Sequence, residues 1–271
     1  MASVYGDISG DESGVMVGAC YLGHDFEWTA AEATWRRHLK AAGVSAFHAT
    51  DFYSANGEFS GPDWTIERDG RRIPGGSKHT EFAQKFTAVA DDAGLLGTAY
   101  GMHVEPFMRI VVPAIRLERR RCTAAHPRLW VVFKSLARVD DFLARTEYRE
   151  RGKIPVVFEN EQGAGRFKDF FAESLERNEH WAYWFRSFDT EGKESVRLQI
   201  ADLLAHEGWR RAKEILADKP RDLRKSFRRM MMRERVELQW QGEEHCPDMA
   251  RLIRETLKKF PNGLTGPHGL P

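Results

Sequence analysis

Cysteine is scarce in this sequence, and its spacing excludes several classes of protein. Only three cysteines occur among the 271 residues, at Cys20, Cys122 and Cys246. None belongs to a C-x-x-C pair, which excludes zinc ribbons and thioredoxin-like redox sites. An odd, scattered set of thiols is typical of a reducing compartment. We therefore expect a cytoplasmic protein.

Long apolar runs and an excess of charge are also missing. No segment approaches the ~20 consecutive apolar residues of a membrane span. Asp7, Asp11 and Glu12 interrupt the apolar residues near the N-terminus, which do not resemble a signal peptide. Lys and Arg number 41 against 40 Asp and Glu, for a formal net charge of +1. This balance argues against a protein that coats nucleic acid by charge alone, but it is compatible with a local basic surface.

The sequence also lacks the common nucleotide-binding and hydrolase motifs. No G-x-G-x-x-G opens a helix, and no G-x-S-x-G elbow occurs. Gly75 and Gly76 are followed by Ser77 and Lys78, in the wrong order for a phosphate-binding P-loop. Nucleotide-dependent dehydrogenases and α/β-hydrolases are therefore disfavoured.

The patterns that are present predict a mixed α/β fold. Hydrophobic residues make up 42% of the chain, enough for a sizeable core. Two apolar segments, 3–6 and 15–22, are joined by a short polar connection and predict an antiparallel hairpin. Helical and strand patterns then alternate. Further strands are predicted at 44–47, 95–104, 154–158, 181–188 and 236–240, helices at 29–42, 80–92, 165–178 and 194–216, and a long surface loop at 53–78 with a small hairpin at 64–73.

Two distant acidic residues stand among apolar neighbours. Asp7 closes the first predicted strand, and Asp202 lies beside an apolar stripe of the helix at 194–216, with His206 one turn later on the same side. A carboxylate among apolar residues is costly unless something pairs with it, and a metal ion is one such partner. Two other interpretations stay open: Asp7 caps its turn through its side chain, and Asp202 pairs with an Arg or caps a neighbouring loop.

Further acids come from separate segments. Glu159 ends the predicted strand at 154–158, with Glu161 two residues later on the same face. His48 and Asp51 are three residues apart. Metal-assisted phosphodiester cleavage needs such a gathering of acids, because two ions about 4 Å apart activate the water and stabilise the leaving oxygen. Mg²⁺ or Mn²⁺ is the expected cofactor, since hard cations prefer oxygen ligands.

Three segments in order carry a family resemblance: Asp7-Ile8-Ser9-Gly10-Asp11, then Phe47-His48-Ala49-Thr50-Asp51, then Leu198-Gln199-Ile200-Ala201-Asp202. They resemble the bacterial "domain of unknown function 3800" family, whose members open with a strand ending in Asp-Glu-Ser-Gly and carry a late Leu-Gln-x-Ala-Asp helix. The resemblance runs from about residue 3 to about residue 210. That family is similar to the ribonuclease H-like superfamily.

The resemblance implies a mixed five-stranded sheet flanked by helices and metal-dependent nucleic-acid chemistry. By position, Asp7 matches the first-strand acid, Asp202 the last-helix acid, and Glu159 or Glu161 the mid-sheet acid, while Asp51 is a further match. The family's second residue, Glu, is Ile8 here, whereas Asp-Glu-Ser-Gly occurs at 11–14. Both registers stay open, and the apolar residues before Asp7 favour that residue over Asp11.

The expected domain organisation follows from the same family resemblance. We expect one ribonuclease H-like domain over residues 1–271, with a core at about 3–215. A helical insertion is expected at about 105–150 and a C-terminal helical extension at about 216–271. Residues 207–235 hold eleven Lys or Arg against five acids, and 116–121 hold a second basic cluster, either of which is suited to a phosphate backbone or to a solvated helix face.

The leading hypothesis is a Mg²⁺- or Mn²⁺-dependent nuclease acting on DNA or RNA. Asp7 and Asp202 would hold metal, Glu159 or Glu161 would bind or bridge a second ion, and His48 or His206 would assist proton transfer or orient phosphate. The second hypothesis is a non-catalytic module of the same fold that binds nucleic acid or protein. The third is a one-metal hydrolase of a small phosphorylated substrate, centred on His48 and Asp51.

Overall fold

A mixed sheet of six strands forms the centre of the fold. The computed structural model describes residues 1–11, 14–114, 126–146, 153–160, 164–177, 179–217, 230 and 236–251. The strands are β1 (Ala2–Gly10), β2 (Val15–His24), β3 (Thr65–Arg68), β4 (Arg71–Pro74), β5 (Leu96–His103), β6 (Ile154–Glu159), β7 (Phe185–Glu191) and β8 (Val236–Gln241). Among the described residues, the helices that matter here are α1 (Asp25–Ala42), α2 (Ala49–Ser54), α3 (Ser77–Ala93), α4 (Pro127–Arg145), α5 (Ala164–Arg177), α6 (Glu179–Trp184) and α7 (Val196–Leu216).

The order of the strands is β7-β6-β1-β2-β5-β8. Strands β1, β2 and β5 form an antiparallel meander, β6 and β7 add in parallel beside β1, and β8 adds in parallel beside β5. This arrangement confirms the predicted mixed α/β sheet flanked by helices. It differs from the implied count of five, because β8 adds a sixth strand from the region predicted as the C-terminal extension. The small hairpin β3–β4 is separate, as the sequence predicts.

Helices cover both faces of the sheet, because the strands are apolar on both sides. Along β2, Val17, Ala19 and Tyr21 pack on one face, whereas Cys20 and Leu22 pack on the other. Helices α1, α3 and α7 cover the first face, and α4, α5 and α6 cover the second. We refer to the first as the α7 face. Among the described residues, no helix combines the length and the apolar character needed to cross a membrane.

Helix α1 begins four residues before the predicted start. The Glu27 carboxylate accepts a hydrogen bond from the His24 N–H at 2.7 Å, which forms a capping box upstream of Thr29. The helix ends at Gly43, whose φ of 71° is the left-handed conformation that glycine adopts readily. Trp28 and Trp35 are buried along its inner side.

Two predicted strands are wrong in part or in whole. Residues 44–47 form no strand, because the Phe47 N–H donates to a side chain, Gln199 Oε1, and not to a neighbouring strand. Residues 181–188 divide into the end of α6 and the start of β7. The alternating aromatic residues of that segment fit a strand and a helix equally well, and Trp181 and Trp184 pack into the core from the helix.

Candidate active site

Asp7 and Glu159 lie side by side on neighbouring strands. Asp7 was predicted to close its strand, but β1 continues three residues further and Asp7 pairs with Ala19 across the hairpin. The strand that does stop here is β6. The parallel pairing of β1 with β6 ends at Gly6 and Phe158, so Asp7 and Glu159 are the next residues on strands about 4.8 Å apart. Both follow a residue of the α7 face by two positions, so both carboxylates lie on that face.

Asp202 approaches the same face from helix α7. Its Oδ2 accepts a hydrogen bond from the Ala49 N–H at 2.9 Å. Burial is the main reason why the pKa of Asp202 is raised to about 6, and the nearby Glu159 carboxylate adds to this effect. The Ala49 hydrogen bond, His48 and Lys193 act in the opposite direction. One predicted alternative, that Asp202 caps a neighbouring segment, is therefore realised in the structure.

Gln199 holds the segment that leads into helix α2. Its Oε1 accepts hydrogen bonds from Trp35 Nε1 and from the Phe47 N–H, both at 3.1 Å. Its Nε2 donates to the carbonyl of Lys193 at 3.2 Å. Together with Asp202 at Ala49, this buried amide fixes the backbone on both sides of His48. Both polar residues of the Leu-Gln-x-Ala-Asp pattern thus orient the 47–51 segment.

One cleft collects five of the predicted residues. Its volume is about 510 Å³. It is lined by Asp7, Ile8, Ser9, Gly10, His48, Thr50, Asp51, Arg128, Glu159, Lys193 and Asp202. The structure thus brings Asp7, His48, Asp51, Glu159 and Asp202 together from β1, β6, α7 and the start of α2.

Two cationic residues line the cleft that were not predicted from the sequence. Lys193 lies in the turn between β7 and α7, and its Nζ is 3.1 Å from Glu159 Oε1. Arg128 lies in the first turn of α4 and lines the same cleft as residues 8–10 of β1. The sequence could have indicated Lys193 only through its position shortly before Gln199 in the Leu-Gln-x-Ala-Asp segment. Arg128 has no comparable signal, because its position depends on how α4 packs against the sheet.

His206, in contrast, does not line the cleft. Its ring is buried and stacks on Tyr53 at 4.8 Å between centroids. Burial, together with the positive charge of Arg210, lowers the pKa of His206 to about 4. The neutral ring therefore belongs to the packing between α2 and α7. His206 is one helical turn after Asp202, but at that position its ring packs on Tyr53 and does not reach the cleft.

Other predicted residues lie beside the cleft or outside the described part of the chain. Asp11 is exposed, beyond the end of β1, and does not line the cleft, so the geometry supports Asp7 as the acid of the first strand. Glu12 and Glu161 lie outside the described residues. So do the basic cluster at 116–121 and the greater part of 207–235. Of that second group, Arg210 lies over the ring of Tyr53 at 4.1 Å.

The donor atoms of the cleft suit a hard divalent cation. Among the described residues, no group of three His, Cys, Asp or Glu side chains is close enough to hold a metal ion. Mg²⁺ commonly takes only one or two carboxylates and completes its coordination with water and substrate phosphate. Glu159 Oε1 is buried and forms no hydrogen bond, despite its contact with Lys193. An oxygen in this state, next to Asp7 and near Asp202, fits a cation ligand.

The fold and the cleft define an α/β protein with a carboxylate-rich cleft where β6 ends beside β1. No protein-family model matches the chain, and no curated protein matches it significantly.

Proposed function

We propose that the protein is a metal-dependent nuclease that hydrolyses phosphodiester bonds of nucleic acid on a ribonuclease H-like fold. The antiparallel meander β1-β2-β5, extended in parallel by β6 and β7, supports this fold, since it is a mixed five-stranded sheet within the larger one. In this interpretation β8 is an addition at the edge. The resemblance of the three sequence segments supports the same proposal.

One observation carries the proposal. Asp7, Asp51, Glu159 and Asp202 come from four separate elements, and all of them line the same cleft. Four acids in one cleft repel each other, and such an arrangement is expected where a cation or a proton is held. The cleft also lies beyond the carboxyl end of β6, where open α/β sheets commonly bind ligands.

In the proposed mechanism, one or two carboxylates among Asp7, Glu159 and Asp202 would bind Mg²⁺ or Mn²⁺ directly, and water and substrate phosphate would complete the coordination. The bound ion would activate the attacking water and stabilise charge on the leaving oxygen. Asp7 and Glu159, fixed on adjacent strands, orient their carboxylates toward the α7 face. His48 would give a proton to the leaving oxygen, since it lines the cleft next to the segment that Asp202 fixes.

The test compares cleavage of single-stranded DNA and RNA by the wild type and by Asp7→Asn, with Mg²⁺ or Mn²⁺. We expect the variant to lose at least about 100-fold in rate, since even the outer partners of metal ligands contribute about 10- to 100-fold. Asp92→Asn, on the exposed side of α3, is the matched control and should keep full activity. Equal activity of wild type and Asp7→Asn, or cleavage that persists in EDTA, would contradict the proposal.

A second function, a non-catalytic binding module, is favoured by a specific observation. Two of the acids already have protein partners, since Asp202 accepts from the Ala49 N–H and Glu159 contacts Lys193. Acids that serve the fold alone would not need a metal ion. This alternative predicts that the protein binds an oligonucleotide or a protein without turnover, and that Mn²⁺ does not change the affinity.

A further inference from the structure

Lys193 has an anchored backbone and an exposed side chain. Its carbonyl accepts a hydrogen bond from Gln199 Nε2 at 3.2 Å, and the turn is closed by the Ser195 N–H donating to the Gly192 carbonyl at 3.1 Å. The side chain is 64% exposed, so its ammonium group can swing on four methylenes from one anchored position. The charge is therefore kept at the cleft by the backbone, and the length of the side chain lets it reach more than one anion there.

The Lys193 ammonium group balances the negative charge of a mostly buried carboxylate. It contacts Glu159 Oε1 at 3.1 Å, and that carboxylate is only 16% exposed. Its charge also acts on Asp202, whose pKa it lowers while Glu159 raises it. Lys193 thus lies in the field of both acids. Glu159 Oε1 forms no hydrogen bond, so the contact with Lys193 is an ion pair, and a cation could take this oxygen only by displacing the ammonium group.

A divalent ion at these carboxylates would change the position of Lys193. It would offset the same negative charge more strongly and repel the ammonium group over a few ångströms. The nearest new anion would be the phosphate of a substrate that reaches the same ion. Lysine is a common phosphate ligand and binds as a point charge without demanding a fixed geometry.

We propose that Lys193 couples metal binding to phosphate binding: it neutralises Glu159 before a metal ion binds, and it contacts the substrate phosphate after the ion has replaced it. This inference rests on the proposed function, and it names a substrate-binding residue of that same cleft. It implies that the metal ion binds before the nucleic acid, since the ion releases the cation that binds phosphate.

The test uses Lys193→Gln, with Lys78→Gln as a matched control. Lys78 is also an exposed lysine in an ion pair, 3.2 Å from Asp63, but it does not line the cleft. Mn²⁺ binding, measured by calorimetry without nucleic acid, should tighten by about 1.4-fold to fivefold in Lys193→Gln, because an exposed ion pair is worth roughly 0.2–1 kcal/mol. The KM for a single-stranded oligonucleotide should rise about tenfold with little change in kcat. The slope of log affinity against log salt should fall by about 1.

Opposite effects on metal and on substrate are the signature of the coupling, since a merely structural role would weaken both. The inference is overturned if Mn²⁺ binds Lys193→Gln with unchanged or weaker affinity, or if the salt slope does not change. If Asp7→Asn is inactive while Lys193→Gln behaves like Lys78→Gln, the inference alone fails. If the wild type neither cleaves nor binds the oligonucleotide, the proposed function fails, and the phosphate-binding half of the inference fails with it.

Discussion

The Asp202 carboxylate accepts a hydrogen bond from the backbone N–H of Ala49, across 153 residues of sequence, at a distance of 2.9 Å. This bond joins helix α7 to the first residue of helix α2, and so places His48 and Asp51 in the cleft. The same carboxylate is one of the proposed metal ligands. Asp202 therefore serves the fold through one oxygen and leaves its other oxygen for the cleft.

The first prediction concerns Asp202→Asn. The pKa of Asp202 is about 6 in the folded protein and 3.8 in an unfolded chain, so the folded state binds the proton more tightly. Wild-type stability should therefore fall as the pH rises from about 4 to about 6, and level off above. Asn does not titrate, and its amide oxygen can still accept from the Ala49 N–H. As the pH rises between these values, the variant should gain up to about 3 kcal/mol in stability relative to the wild type, while the proposed nuclease activity is lost.

Urea unfolding at pH 4 and pH 8, without divalent cations, measures this difference. A variant that is less stable at pH 8 than at pH 4, relative to the wild type, would show that ionised Asp202 stabilises the fold. Asp92→Asn again provides the control, because that exposed acid should show little dependence of relative stability on pH over the same range.

Local patterns were sufficient to predict the sheet and most of its helices. The alternation along β1 and β2, the polar connection at 10–14 and the long apolar helix at 194–216 specify elements that bury apolar area on both faces. Asp7 and Asp202 were predicted because a carboxylate among apolar neighbours is costly. Glu159 was predicted from its place at the end of an apolar strand, and Asp51 from its spacing to His48.

The remaining features depend on contacts that are distant in sequence. Residues 44–47 have the composition of a strand, but the Phe47 N–H is satisfied by Gln199, 152 residues away. Arg128 reaches the cleft only because α4 packs against β2 and β5. His206 follows the helical period of Asp202, yet the ring of Tyr53 decides where it packs. Periodicity specifies which face a residue occupies, but not its partner on that face.

The second prediction concerns the buried amide of Gln199. Gln199→Ala removes the acceptor of Trp35 Nε1 and of the Phe47 N–H, so two buried donors lose their partner and a cavity forms. We expect a loss of about 2–4 kcal/mol in the free energy of unfolding. Gln84→Ala, on the exposed side of α3, should change stability by less than about 0.5 kcal/mol. Similar losses for the two variants would contradict the role given to Gln199.

The third prediction concerns the close approach of β1 and β6 at Gly6. A Cβ at this position would overlap the ring of Phe158, which is itself stacked on Phe188. Gly6→Ala should therefore separate the strands that carry Asp7 and Glu159, with a loss of about 1–3 kcal/mol in stability and a larger proportional loss of activity. Gly61→Ala is the control, because its Cβ would meet Trp64 at an ordinary 3.7 Å. Unchanged activity of a folded Gly6→Ala protein would show that the spacing of the two acids is not critical.

The fourth prediction concerns stabilisation by the metal ion itself. If Asp7 and Glu159 hold a divalent cation, Mn²⁺ at 100 times its Kd should stabilise the wild type by about 2.7 kcal/mol. That corresponds to a rise of roughly 5 °C or more in Tm, reversed by EDTA. The double variant Asp7→Asn/Glu159→Gln should keep its fold but lose this rise. Asp92→Asn should retain it.

Two features make this measurement a direct test of metal binding in the cleft. It needs neither substrate nor turnover, so it separates metal binding from catalysis. Replacing Mn²⁺ with NaCl at equal ionic strength corrects for general screening, which acts on every exposed pair of the protein. A Tm rise that survives in the double variant would place the metal ion elsewhere. A wild type that shows no rise would favour the non-catalytic module, in which the Lys193 ammonium group and the Ala49 N–H are the permanent partners of Glu159 and Asp202.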